Sequence, residues 1–193
     1  MSASRSLPVQ RDSHRPAASR RLLYPLDALY ARAHMTPPVA KRTTAERLPP
    51  ACRELLVHHS GMTFALERRF GGAVTVRVLS SFSRGRWYFR RVLLVLEETG
   101  RPVAIGAIRL KLDFFGARVR ARILGEQVPL GHILSQAGFQ YHSHPTAFFQ
   151  VTPTAEMMGF FSMRQADTLH GRRTQVTVRS ERIGDIVEIL ALV

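Results

Sequence analysis

Hydrophobic and polar positions alternate most regularly in the middle of the chain. In "GAVTVRVLSS" Val74, Val76 and Val78 share one face and Thr75, Arg77 and Leu79 the other, the period of two of a β-strand. Two further β-rich runs, "RWYFRRVLLVLE" and "RPVAIGAIRLKL", are joined by "ETGR", whose glycine suits a tight turn, so they predict an antiparallel hairpin. "TAFFQVTP", "RTQVTVRSE" and "DIVEILALV" predict three more strands, the last two separated at Gly184, and "ARVRARIL" reads as another extended segment. Helical spacing is confined to short stretches. "PPACRELLVHH" carries Pro50 where a first helical turn tolerates it, with Cys52, Leu55 and Leu56 on one side, before a loop at Ser60 and Gly61. "PLGHILSQAGF" starts at Pro129 and stops near Gly138. "TAEMMGFFSMRQADTL" is readable as a helix or as an irregular lid, because Gly159 interrupts it. Many strands, few helices and no βα rhythm predict an α+β fold: an antiparallel β-sheet with short helices packed on one face.

The ends behave differently from the middle. Residues 1–21 are rich in Ser, Arg, Ala and Pro and poor in large apolar side chains, which predicts a flexible basic tail; the same composition also resembles an organelle transit peptide. Residues 22–48 hold scattered anchors such as Leu22, Tyr24 and Leu29 and read as an arm leading into a domain that spans 49–193. Cys52 is the single cysteine, which excludes an intrachain disulfide and fits a reducing, cytoplasmic setting. The longest aliphatic run, Val92 to Leu96, is far shorter than the ~20 residues of a membrane helix, so no span is expected.

The formal net charge is +14, and residues 1–50 and 51–193 are each basic. Such a field attracts nucleic acid, anionic surfaces or small anions alike. The arginines beyond Arg53 are scattered through apolar stretches, and no zinc-finger, basic-zipper or RNA-recognition pattern accompanies them, so a nucleic-acid partner is not expected. A small anionic ligand is. Phosphate loops, GxGxxG and the serine elbow of hydrolases are absent. His142 and His144 stand two apart, but no third ligand follows at metal-site spacing, so no metal and no cofactor are expected.

Two charges sit oddly among apolar neighbours. In the strand from Trp87, alternation puts Arg91 with Trp87, Phe89, Leu93 and Val95, and Arg90 with Tyr88, Val92 and Leu94. One of the two shares a face with the core, either with its head reaching solvent or as a rigid internal fork suited to a carboxylate. Glu188 lies in a terminal strand apolar on both faces, where a carboxylate requires a partner. An inward Glu and an inward Arg make a polar site in an antiparallel sheet, the form of a small-molecule pocket.

The order "LLVHHSGMTFALERRFG", "YFRRVLLV", "VPLGHIL", "LHGRRTQVTV" and "IVEIL" resembles the chorismate lyase family over roughly residues 49–192. The resemblance implies a cofactor-free α+β enzyme that cleaves chorismate to 4-hydroxybenzoate and pyruvate, in aromatic and ubiquinone biosynthesis. It implies that the backbone amides of Met62 and Leu130 bind the product's carboxylate, that Arg91 pairs with it, and that Glu188 faces the 4-oxygen, with Phe64, Phe89 and Phe148 or Phe149 as candidate apolar walls. It is also compatible with a ligand-binding module without catalysis, since transcription regulators use a sensor domain of the same lyase-like fold.

Overall fold

The strands of the predicted hairpin lie side by side within a single sheet. The computed structural model describes residues 22–191. Its seven strands are β1 (Val39–Thr43), β2 (Val74–Arg84), β3 (Trp87–Leu96), β4 (Pro102–Lys111), β5 (Tyr141–Thr152), β6 (Leu169–Val178) and β7 (Glu181–Leu190). They pair antiparallel throughout in the order β1-β5-β6-β7-β4-β3-β2. Six short helices are α1 (Leu26–Arg32), α2 (Pro50–Leu56), α3 (Met62–Phe70), α4 (Ala117–Leu124), α5 (Leu130–Gln136) and α6 (Ala155–Phe160). The fold is α+β with an antiparallel sheet, as the pattern predicts.

Register decides which side chains meet. One cross-strand row runs Val78, Val92, Gly106, Glu188, Arg172, Phe148 over six strands. Because side chains alternate along each strand, these residues share a face, and Arg91, Ala107 and Val187 share the other. Helices α2 to α5 cover the first face: Leu55, Leu56 and Leu66 pack with Val92 and Leu94, and Ile133 and Leu134 pack with Ile108 and Val176. The second face is covered too, by α1 and α6, with Leu26, Leu29 and Met157 against Leu93, Ile105 and Val187. Segment 22–48 thus supplies α1 to the second face and β1 to the sheet edge beside β5.

Several local expectations are corrected. "ARVRARIL" is the helix α4, not a strand: its Arg/apolar alternation imitates a period of two, yet Val119 and Ile123, four apart, are the residues that pack inward. The structure adds the helix α3, in which Met62, Ala65 and Leu66 bury one side. The segment after Thr154 begins as the helix α6, its first turn capped by Thr154 Oγ, which accepts from the Met157 amide at 3.2 Å. The β6–β7 turn falls at Arg179 and Ser180, both with positive φ, while Gly184 lies inside β7, where a Cβ would come 2.4 Å from the Arg109 carbonyl oxygen. The predicted tail, 1–21, lies outside the described residues.

Candidate functional site

Between the first face and its helices lies a cavity of about 60 Å³, several times the about 10–15 Å³ that one water needs. Its floor is the sheet: Val92, Gly106, Ile108, Ile186 and Glu188. Its roof is made by the first turns of two helices, Gly61–Thr63 of α3 and Pro129–Gly131 of α5. The first three amides of a helix have no acceptor within it, so Met62 and Leu130, each the first residue of its helix, present backbone N–H groups at this end.

Met62, Leu130 and Glu188 all line the cavity; Arg91 does not. Its guanidinium lies on the far side of the sheet, 4% exposed, donating to Glu156 of α6 at 2.7 and 3.0 Å and stacked 4.6 Å over the Tyr30 ring of α1. Tyr30 donates to the same carboxylate at 2.8 Å. Arg91 therefore fastens the second helical layer, and the expectation that it meets Glu188 is overturned by the sheet's alternation. The phenylalanines are corrected as well: Phe89 and Phe149 belong to the core of the second face, Phe64 is exposed, and the apolar part of the cavity lining contains no phenylalanine.

The arginine in the cavity is Arg90. It is 2% exposed, and its Nε and Nη1 are buried without a hydrogen-bond partner among the described residues. Burial pulls its pKa down, while Tyr88 and Glu126 nearby hold it up; a guanidinium keeps its charge in either case. Buried N–H groups of a cation left without an acceptor are costly. Arg90 stands two strands and one two-residue step from Glu188, so their Cα atoms are roughly 12 Å apart at ~4.8 Å per strand and ~3.4 Å per residue.

Glu188 is paired, but with a residue the sequence reading assigned no role. Arg172 sits directly opposite it on β6 and donates from Nε to Oε2 at 2.6 Å. Fully buried, Arg172 also donates from Nη1 to the carbonyls of Leu56 at 3.0 Å and His58 at 3.1 Å, and from Nη2 to that of Ser60 at 3.4 Å. One side chain thus ties Glu188 to the loop that leads into α3. His58 completes the brace: its Nε2 lies 2.8 Å from the Leu55 carbonyl, which places the proton there, and its Nδ1 accepts from Ser60 Oγ at 2.9 Å. Burial first, and the Arg172 charge second, push the His58 pKa down to about 4. Next to Arg172, Gly171 permits the close packing, since a Cβ there would lie 2.5 Å from the Glu188 carbonyl oxygen and 2.6 Å from the Phe149 ring.

Alternation held a signal for Arg172, which shares its face with Thr174, Val176 and Val178, a buried set. No such signal separated Arg90 from Arg91, because β3 is apolar on both faces. A third polar group, Tyr141 of β5, also lines the cavity. Among the described residues no three His, Cys, Asp or Glu side chains converge in a metal-binding group; His144 stacks on His59 with ring centroids 5.4 Å apart. No helix among the described residues is long and apolar enough to cross a membrane.

By sequence, the chain matches no protein family and no curated protein. By structure it is similar to PhnF from Mycobacterium smegmatis, with 9% identity and a TM-score of 0.54 over 70% of this chain and 65% of that one. It is also similar to a gene product of Staphylococcus aureus, with 7% identity and a TM-score of 0.50 over 70% of this chain and 90% of that one. A transcriptional regulator of the GntR family from Bacillus cereus overlaps more loosely, at a TM-score of 0.45 and 12% identity over 61% of this chain and 91% of that one. At these identities what the chain has in common with PhnF and the staphylococcal protein is the fold.

Proposed function

We propose that the protein binds a small ring carboxylate in this cavity, the carboxylate meeting Arg90 and the amides of Met62 and Leu130, and an oxygen across the ring meeting Glu188. The observation that carries this reading is Arg90, a buried cation with two N–H groups unpaired beside a cavity. A carboxylate supplies what those groups lack, in a geometry the planar fork matches. Glu188, with Oε2 committed to Arg172, acts as a hydrogen-bond acceptor at the opposite end. Calorimetric titration with 4-hydroxybenzoate tests the reading: one-to-one binding supports it, and no heat with 4-hydroxybenzoate, benzoate or chorismate removes it.

A second reading adds chemistry, and the presence of Glu188 opposite Arg90 favours it. Chorismate has a ring carboxylate for the Arg90 end and a 4-hydroxyl for the Glu188 end. Its cleavage moves the C4 hydrogen to the enolpyruvyl methylene as the ring–ether bond breaks, giving 4-hydroxybenzoate and pyruvate with no water or cofactor consumed. Aromatisation drives the step, and the protein's part is to hold the ring and side chain in reactive geometry. In this reading Glu188 orients the 4-hydroxyl and Arg90 anchors the substrate. Incubation with chorismate while following pyruvate separates the two: pyruvate above background establishes the lyase, and tight binding without pyruvate leaves a binding module.

A further inference from the structure

Tyr141 is a polar group in the cavity to which neither reading gives a task. Its hydroxyl is lodged in a notch between two glycines: a Cβ on Gly61 would lie 2.4 Å from Tyr141 Oη, and one on Gly131 would lie 3.0 Å from it. Those glycines adjoin Met62 and Leu130, so the phenol oxygen touches the backbone beside both roof amides. It makes no hydrogen bond to a described residue, and its ring lines the cavity. Arg90 enters the same cavity from the floor with its own unpaired N–H groups. We propose that Tyr141 is a further ligand-binding residue, whose hydroxyl donates a hydrogen bond to the ligand carboxylate held by Arg90. The inference rests on the ring-carboxylate reading above.

The chemistry favours donation. Burial first, and the Glu188 charge second, raise the Tyr141 pKa, so the phenol keeps its proton at neutral pH. A phenol with no protein partner, facing an anion, gains a charge-assisted bond on ligand entry at no cost to the fold. The notch also accounts for the two small residues, because a side chain at Gly61 would displace the hydroxyl and one at Gly131 would press against it.

The test is titration of the full chain with benzoate and with 4-hydroxybenzoate, for wild type, Tyr141→Phe, Gly131→Ala, the double variant and Arg90→Ala. Loss of a hydrogen bond to a charged group corresponds to about 10- to 100-fold in affinity. Tyr141→Phe is expected to weaken both ligands by at least about tenfold with an unchanged melting temperature. Gly131→Ala is expected to weaken binding in the wild-type background and to add little to Tyr141→Phe, since the group it collides with is then gone. Wild-type affinity in Tyr141→Phe, alongside lost affinity in Arg90→Ala, overturns this inference alone. Wild-type affinity in Arg90→Ala overturns the site and the inference together.

Discussion

Arg172 and Glu188 face each other across β6 and β7, joined at 2.6 Å, and the same guanidinium holds three carbonyls, one at the end of α2 and two in the loop before α3. The sheet end of the cavity and its roof are therefore set by one side chain. Removing it strands a buried carboxylate and frees the loop. Arg172→Ala is predicted to lose about 3–5 kcal/mol of stability, read by urea denaturation. Arg172→Lys should recover little, because an ammonium cannot reproduce the fork. A loss below about 1 kcal/mol in Arg172→Ala would show that the brace is unimportant.

Neighbouring arginines on β3 are predicted to give opposite phenotypes. Arg91→Ala breaks the tie to Glu156 and Tyr30, so it should destabilise the fold by about 3 kcal/mol while leaving the affinity of the remaining folded protein unchanged. Arg90→Met removes a buried cation whose Nε and Nη1 lack acceptors, so it should cost less stability than Arg91→Ala yet bind ring carboxylates at least about 100-fold more weakly. Thermal melts and titrations on the same samples check both halves. Equal loss of stability in the two variants would count against the assignment.

That contrast also marks how far the sequence could be read. The long strands and the α+β class follow from alternation, and Glu188 stands out because no solvent-facing explanation suits it. The choice between Arg90 and Arg91 depends on which β3 residue is in register with Gly106 and Glu188, a relation between distant strands that periodicity within β3 does not contain. Arg172 is legible by alternation, since it shares a face with Thr174, Val176 and Val178, but its partner Glu188 is defined only by the pairing of β6 with β7. Helix α4 misled because three arginines spaced two apart mimic a strand, and helix α1 because few apolar anchors in 22–48 reveal a packing face only once the sheet beneath is known.

Glu188 is predicted to read the far end of the ligand. Glu188→Gln should weaken 4-hydroxybenzoate about tenfold while leaving benzoate, which lacks the 4-oxygen, nearly unchanged. Competition binding with the two ligands measures this directly. The same loss for both ligands would place Glu188 elsewhere than opposite the carboxylate.

Acid should loosen the brace through His58. Its folded pKa of about 4 lies below the ordinary 6.5, so between these values the unfolded chain binds the extra proton. Stability contributed by neutral His58 is complete above pH 6.5 and is lost as pH falls towards 4. Denaturation midpoints followed over that window should fall for wild type and fall less for His58→Gln. Parallel curves would assign the acid sensitivity to other groups.

Arg90, not Arg91, is proposed to receive an anion in a cavity that Glu188 also lines. Calorimetric titration of 4-hydroxybenzoate into wild type, Arg90→Met and Arg91→Ala decides between the two arginines. One-to-one binding is expected in wild type and in folded Arg91→Ala, and binding at least about 100-fold weaker in Arg90→Met. Undiminished binding in Arg90→Met would contradict the assignment to Arg90.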